Sequence, residues 1–314
     1  MAAAQGNTYK GRFAPTPSGD LHFGSFVTAA ASYLDARKNH GQWFVRIDDL
    51  DTAREVKGSA QAILTTLERF GFEWDGQVSY QSQHTERYRH FADVLLNQHQ
   101  AYWCECSRKV ITARCPVGEY GPVYDGYCRS RAVAPGANRS LRVITNQGAN
   151  QTANQSVVFN DELKGESAID LQATLGDFII KRADGIFSYH LAVVVDDHDL
   201  GITHIVRGGD LHPLTGQQVF LQNSLHLTHP QYAHLPIVLD AGQRKLSKSS
   251  NAPPIDAAPA PAVLFQALTV LNHSPPDTLR GAPLNELWAW AIAHWQLEKV
   301  PGETNMMLPD LTSV

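Results

Sequence analysis

Three stretches of the chain hold residue types and spacings that suit chemistry. The first is Gly11-Arg12-Phe13-Ala14-Pro15-Thr16-Pro17-Ser18-Gly19-Asp20-Leu21-His22-Phe23-Gly24-Ser25. Two prolines and a glycine forbid a regular ladder there, and an apolar helical pattern follows. A helix N-terminus offers free backbone N–H groups and a partial positive charge, which suit a phosphate chain. Gly19 and Gly24 lack a Cβ and permit close backbone approach, and His22 places an imidazole at the same end. The same residues would also serve as a plain βα turn with His22 as its cap. The second stretch is Arg244-Lys245-Leu246-Ser247-Lys248-Ser249-Ser250, with two lysines three apart and no periodicity of its own. Ammonium groups on a loop suit a phosphate whose charge grows as it transfers. A solvated basic loop has the same appearance. The third is a cysteine cluster: all four cysteines fall between Cys104 and Cys128. Cys104-Glu105-Cys106 with Cys128 reads as a metal site better than as a disulfide framework, and Cys115 would complete a four-thiolate set.

The elements that must position these residues alternate. Gly11–Ala14 predicts a strand, Gly24 to Lys38 a helix, Trp43–Ile47 a buried strand and Ser59–Phe70 a helix ended by Gly71. That is the rhythm of a parallel α/β sheet. Apolar runs resume at Phe178-Ile179-Ile180, Leu191–Val195 and Ile202–Val206. The intervening residues, with the cysteines and an Asn/Gln-rich exposed stretch from Asn146 to Gln155, read as a module inserted into one α/β domain. The expected division is 1–100 and 178–250 as the two halves of that domain, 101–177 as the insertion and 251–314 as a short helical C-terminal region. Pro253, Pro254, Pro259 and Pro261 mark a linker or surface crossing at its start. Leu284, Leu287, Trp288, Ile292 and Trp295 lie on one helical stripe that predicts a packing helix.

Composition bounds the rest. With 314 residues, 43% hydrophobic and 18% charged, the chain is an ordinary globular sequence and disorder is excluded as its main state. A net charge of −5 means that any RNA contact uses a local basic patch. Met1-Ala2-Ala3-Ala4 begins neither a signal nor a transit pattern, and no apolar run approaches membrane length, so a cytoplasmic protein with no membrane partner is expected.

Together, the first two stretches resemble the class I aminoacyl-tRNA synthetases of the glutamyl branch. The first is similar to the family's His-x-Gly-His region in its glutamyl form, with Ser25 in place of the last histidine. The second is similar to its Lys-Met-Ser-Lys loop, with Leu246 in the methionine position. Val45-Arg46-Ile47-Asp48-Asp49-Leu50-Asp51, Asp196-Asp197-His198 and Ile205-Val206-Arg207-Gly208-Gly209-Asp210-Leu211 match the same branch. The resemblance spans about residues 10 to 250, roughly three quarters of the chain. Sixty-four residues follow position 250, too few for the helical anticodon-binding region of the branch's full-length members. The chain is most similar to the short members, which activate glutamate with ATP and ester-link it to queuosine at the wobble position of tRNA(Asp).

The resemblance implies a Rossmann-like catalytic domain with a parallel sheet, a zinc-containing module like those that bind acceptor stems, and a short helical C-terminal region. It implies that Arg12 and Phe13, Ala14, Pro15 and Thr16 line the glutamate site. Arg207 would grip the side-chain carboxylate, Tyr189 would hydrogen-bond the substrate and Asp48 would hold the α-ammonium. Asp48 stands where the family commonly has Glu, a shorter arm with the same charge. Ser18, Gly19, His22, Gly24, Ser25 and Lys248 would bind ATP, and His22, Lys245 and Lys248 would stabilise the transferring phosphate, with Mg2+ arriving on ATP. Cys104, Cys106, Tyr124 and Cys128 would hold a structural Zn2+. The chain is longer than usual between Cys106 and Tyr124, and Cys115 lies in that extra length, so the fourth ligand is Tyr124 or Cys115. The implied partners are ATP, L-glutamate and queuosine-containing tRNA(Asp), bound by a monomer. Two rival readings stay open here: a truncated glutamyl-tRNA synthetase charging the 3′ end of tRNA(Glu), and a non-catalytic RNA-binding module.

Overall fold

A computed structural model describes residues 8–146, 156–239, 255, 259–303 and 305–307. Strand β1 (Lys10–Phe13) leads through the loop 14–22 into helix α1 (Phe23–Lys38), and β2 (Gln42–Ile47) returns parallel to β1. Helix α2 (Ser59–Arg69) crosses to β3 (Ser79–Tyr80), which pairs parallel with β2. Helix α3 (Thr85–Asn97) follows. The strand–helix rhythm expected from the first hundred residues is therefore present. The predicted boundaries are within one residue of those observed for α1, β2 and α2.

The middle of the chain is largely antiparallel. It comprises β4 (Ala101–Cys104), α4 (Arg108–Arg114), the small hairpin β5 (Val117–Gly118) and β6 (Gly121–Pro122), and then β7 (Ser140–Val143). Hairpin β8 (Val157–Asp161) and β9 (Gly165–Ile169), the one-turn helix α5 (Leu171–Thr174) and β10 (Ile179–Lys181) complete it. β7 is the centre of an antiparallel sheet between β10 and β4. The Asn/Gln-rich stretch beyond Asn146 lies outside the described residues.

Helix α6 (Tyr189–Asp199), β11 (His204–Gly208), α7 (Thr215–Ser224) and β12 (Gln231–Leu235) resume the α/β pattern. The apolar run Leu191–Val195 lies inside α6, and Ser188 accepts from the Leu191 N–H at its start. β11 pairs parallel with β12, and β12 with β8. β11 also runs beside β1, where the Thr203 N–H reaches the Lys10 carbonyl at 3.0 Å. The parallel strands thus follow one another as β3, β2, β1, β11, β12 and β8, with the first chain segment in the middle. This is the parallel α/β sheet that the sequence led us to expect.

Helix α1 is buried almost all round. Phe26, Ala29, Ala30 and Leu34 are fully enclosed, each large side chain contributing about 1.5–3 kcal/mol of burial. Beyond the proline-rich segment, most of which lies outside the described residues, α8 (Ala260–Val270) and α9 (Leu284–His294) pack on this core. Trp288 donates to the Phe70 carbonyl at 2.9 Å, and Trp295, one residue past α9, donates to the buried Asp35 carboxylate at 2.9 Å. Strand β13 (Ile237–Leu239) is joined in parallel by β14 (Asn305–Met307). No helix among the described residues is long and apolar enough to cross a membrane.

Candidate active site

The loop between β1 and α1 is fixed by bonds to the chain that follows β2. The Asp48 N–H reaches the Pro15 carbonyl at 3.0 Å and the Val56 N–H reaches the Pro17 carbonyl at 2.9 Å. Ser59 accepts from the Gly19 N–H at 2.9 Å and donates to its carbonyl at 2.7 Å. Gly19 has φ 130°, which a residue with a Cβ rarely adopts. His22 is the N-cap of α1: its Nδ1 accepts from the Ser25 N–H at 3.3 Å, and its Nε2 lies 2.9 Å from Ser25 Oγ. With Nδ1 as acceptor, the neutral ring carries its proton on Nε2. The capping role and an imidazole at the loop mouth are thus the same arrangement.

A cleft of about 710 Å3 opens over this loop. Its lining includes Phe13, Ala14, Pro15, Thr16, Ser18, His22, Gly24, Ser25, Asp48 and Tyr189, all anticipated from the sequence. Asp210, Leu211 and Pro236 join them from the opposite half of the sheet. Gly19 is not in the lining, because its amide is turned to Ser59. Lys245 and Lys248 lie outside the described residues.

Under the cleft lies a buried charge cluster. Arg12 meets Asp197 with two nitrogens, at 3.2 and 3.3 Å. Arg46, fully enclosed, reaches Asp48 at 2.7 Å, Asp197 at 2.6 Å and Asp196 at 3.6 Å. His84, Tyr88 and Gln81 converge on Asp196. Arg12 therefore buttresses the floor through Asp197 instead of lining the cleft. Of Asp196 and Asp197, matched as a motif without a role, Asp197 seats both arginines and Asp196 faces Arg46 alone. Burial would raise the Asp197 carboxyl, but Arg12 and Arg46 hold it below its ordinary range. For Asp48 burial wins over Arg46, and the carboxyl is pushed up to about 6.

Arg207 is buried, at 3% exposure, yet forms no ion pair among the described residues. Its Nε donates to His234 Nε2 at 2.9 Å and its Nη2 to Thr215 Oγ1 at 2.8 Å; Nη1 is enclosed with no partner. A structural ion pair between Arg207 and Asp48 is not formed, since Asp48 belongs to Arg46. Beside Arg207 stand Tyr189, the first residue of α6, and His190, whose buried Nδ1 also lacks a partner. Burial, with Arg207 adding to it, pushes His190 down to about 4, so its ring is neutral. His190, His234 and Thr215 were missed in the sequence; nothing in their spacing connects them to Arg207.

The cysteine cluster is compact. The thiols of Cys104, Cys106 and Cys128 lie within 4.8 Å of one another, with Cys106 and Cys128 Sγ 3.6 Å apart. Tyr124 Oη sits 3.2 Å from Cys104 Sγ and 3.5 Å from Cys106 Sγ. Cys115 is buried in the same apolar cluster but is not among the three converging thiols. Three sulfurs at this spacing, with an oxygen beside them, fit the edges of a tetrahedron whose Zn–S bonds are about 2.3 Å.

Comparison with known proteins agrees with this geometry. Residues 9–255 match the family "tRNA synthetases class I (E and Q), catalytic domain". A glutamyl-Q tRNA(Asp) synthetase of Aromatoleum aromaticum is 44% identical over 301 residues, covering 96% of this chain and 93% of its own. One of Serratia proteamaculans is 46% identical over 311 residues, covering 98% and 97%. Among solved structures, a glutamate tRNA ligase of Elizabethkingia meningosepticum in complex with its amino acid superposes with a TM-score of 0.78. It is 24% identical and matches over 96% of this chain and 67% of that one, a likeness of fold. The chain belongs to the class I aminoacyl-tRNA synthetases, in the glutamyl-Q tRNA(Asp) synthetase family.

Proposed function

We propose that the protein activates L-glutamate with ATP and transfers the glutamyl group to the queuosine base at the wobble position of tRNA(Asp). The observation that carries the glutamate reading is Arg207. A guanidinium buried without a carboxylate, with Nη1 unpartnered, is costly unless an anion completes it. Burial lowers its proton affinity, yet guanidinium stays charged at neutral pH. The glutamate side-chain carboxylate supplies the missing anion, with Tyr189 donating to the same substrate and Asp48 facing its α-ammonium.

In the first step the α-carboxylate oxygen attacks the α-phosphate of ATP, a P–O bond forms and pyrophosphate leaves. The amides at the start of α1 and His22 face the phosphates, aided by Ser18, Gly24 and Ser25, and Mg2+ arrives with ATP. Lys245 and Lys248 neutralise the charge that grows on the transferring phosphate. In the second step a queuosine hydroxyl attacks the glutamyl carbonyl, the ester forms and AMP leaves. Residues 1–100 and 178–250 act as the catalytic halves, 101–177 as the inserted module and 251–314 as the packing C-terminal region. Cys104, Cys106, Cys128 and Tyr124 would hold a zinc ion that braces the insertion.

The insertion also carries the features of an RNA-facing surface. Val110, Val117, Tyr120, Tyr127 and Val158 are five of the six large apolar side chains exposed among the described residues. Tyr127 lies between the guanidinium groups of Arg114 and Arg131, at 3.9 and 3.8 Å from the ring centre. Arg–aromatic stacks suit unpaired bases. Glutamate-dependent ATP–pyrophosphate exchange tests the activation step: exchange with glutamate and not with glutamine is expected, and no exchange with any amino acid would refute it.

A further inference from the structure

Three adjacent parallel strands bring Asp161, His234 and Arg207 into one buried row. Asp161 ends β8, His234 lies on β12, and Arg207 on β11 is its register partner. All three are at most 3% exposed. Asp161 Oδ1 accepts from the N–H groups of Leu163, Lys164 and His234 at 3.1, 3.0 and 3.3 Å. Its Oδ2 lies 2.5 Å from His234 Nδ1. His234 Nε2 faces the Arg207 Nε–H at 2.9 Å. A guanidinium nitrogen can only donate, so Nε2 must be the acceptor and the imidazole proton must sit on Nδ1, bonded to Asp161. Burial pushes His234 down to about 4 despite Asp161, so the ring is neutral at working pH.

We infer that Asp161 and His234 are positioning residues for Arg207: Asp161 fixes the His234 tautomer, and His234 then aims the guanidinium without neutralising it. A carboxylate in the place of His234 would hold Arg207 as firmly but would cancel the charge that distinguishes glutamate from glutamine. The neutral ring leaves that charge for the ligand. This inference rests on the glutamate reading of Arg207.

Asp161→Asn tests it with little change of shape. The three backbone N–H groups keep the amide oxygen at the Oδ1 position, which turns the amide NH2 toward His234 Nδ1. Nδ1 must then accept, the proton moves to Nε2, and two donors face each other at Arg207. The expected result in glutamate-dependent exchange is a rise in the glutamate KM of about tenfold or more, with kcat within about threefold. The 15N imidazole shifts of His234, assigned by their loss in His234→Gln, should change from the Nδ1–H to the Nε2–H pattern. Arg207→Ala is measured alongside. If Arg207→Ala raises the glutamate KM and Asp161→Asn does not, the inference is overturned and the glutamate reading stands. A raised KM with an unchanged tautomer also overturns it, because Asp161 would then act only as a structural anchor. If Arg207→Ala leaves the glutamate KM unchanged, the reading of Arg207 fails and the inference falls with it.

Discussion

Asp48 and Arg207 are oppositely charged, both buried, and left with different needs. Asp48 already has Arg46, but burial keeps its carboxyl near 6 where an exposed one would sit at 3.8. A raised value means that the folded protein binds this proton more tightly than the unfolded chain. Its contribution to stability is therefore present at low pH and fades as pH rises through about 6. The substrate binding proposed for Asp48 runs the other way, since only the carboxylate holds an ammonium. We expect kcat/KM for glutamate in the exchange assay to fall as pH drops through about 6, and Asp48→Asn to be low and to lack that step. Arg207→Ala should cost about 2–4 kcal/mol of glutamate binding, read as a higher KM and lost preference over glutamine. Lys248→Ala should slow adenylate formation far more than it weakens glutamate binding, because the role proposed for its charge is in the transition state. An unchanged turnover would remove that role. The identity of the loop residues, the Asp48 position and Arg207 was legible because each stands in a short ordered motif. The partners of Arg207 were not, because His234 lies 27 residues away and Asp161 73 residues from His234, and only the strand pairing brings the three into one row.

At the scale of elements, the strand–loop–helix unit from β1 to α1 was readable because its prolines, glycines and apolar period each exclude an alternative. The run Leu191–Val195 was not, since five apolar residues fit a buried strand or a buried helix equally well; Ser188 as N-cap decides for the helix. The cysteine spacing pointed to a metal site, while the convergence of Tyr124 depends on a backbone contact the sequence does not advertise. Tyr124 bridges to Gly176, which has φ 65°, and a Cβ there would run into the Tyr124 carbonyl. Gly176→Ala should therefore destabilise this region by about 1–3 kcal/mol and loosen the zinc proposed for the cysteine cluster, with little effect on the glutamate KM. Thermal unfolding and metal content after dialysis check both. The Arg114–Tyr127–Arg131 stack belongs to the same module. Replacing Tyr127 by Ala with Arg131 by Glu should weaken transfer to tRNA about tenfold or more while leaving exchange intact.

For the whole molecule, the parallel sheet sets Phe13 to Thr16 on one side of a cleft and Gly208 to Leu211 on the other, at the carboxyl ends of neighbouring strands β1 and β11. That is where open α/β sheets bind ligands. The C-terminal helices brace this arrangement through α1, whose Asp35 takes bonds from Tyr9 and Trp295. The Arg114–Tyr127–Arg131 stack lies in the 101–177 segment and not in the lining of this cleft. The most direct test of the whole account is incorporation of labelled glutamate into purified tRNA(Asp), prepared with and without queuosine. ATP-dependent, base-labile labelling of the queuosine-containing tRNA alone is expected. Equal labelling of both preparations, or charging of tRNA(Glu) at its 3′ end, would contradict it.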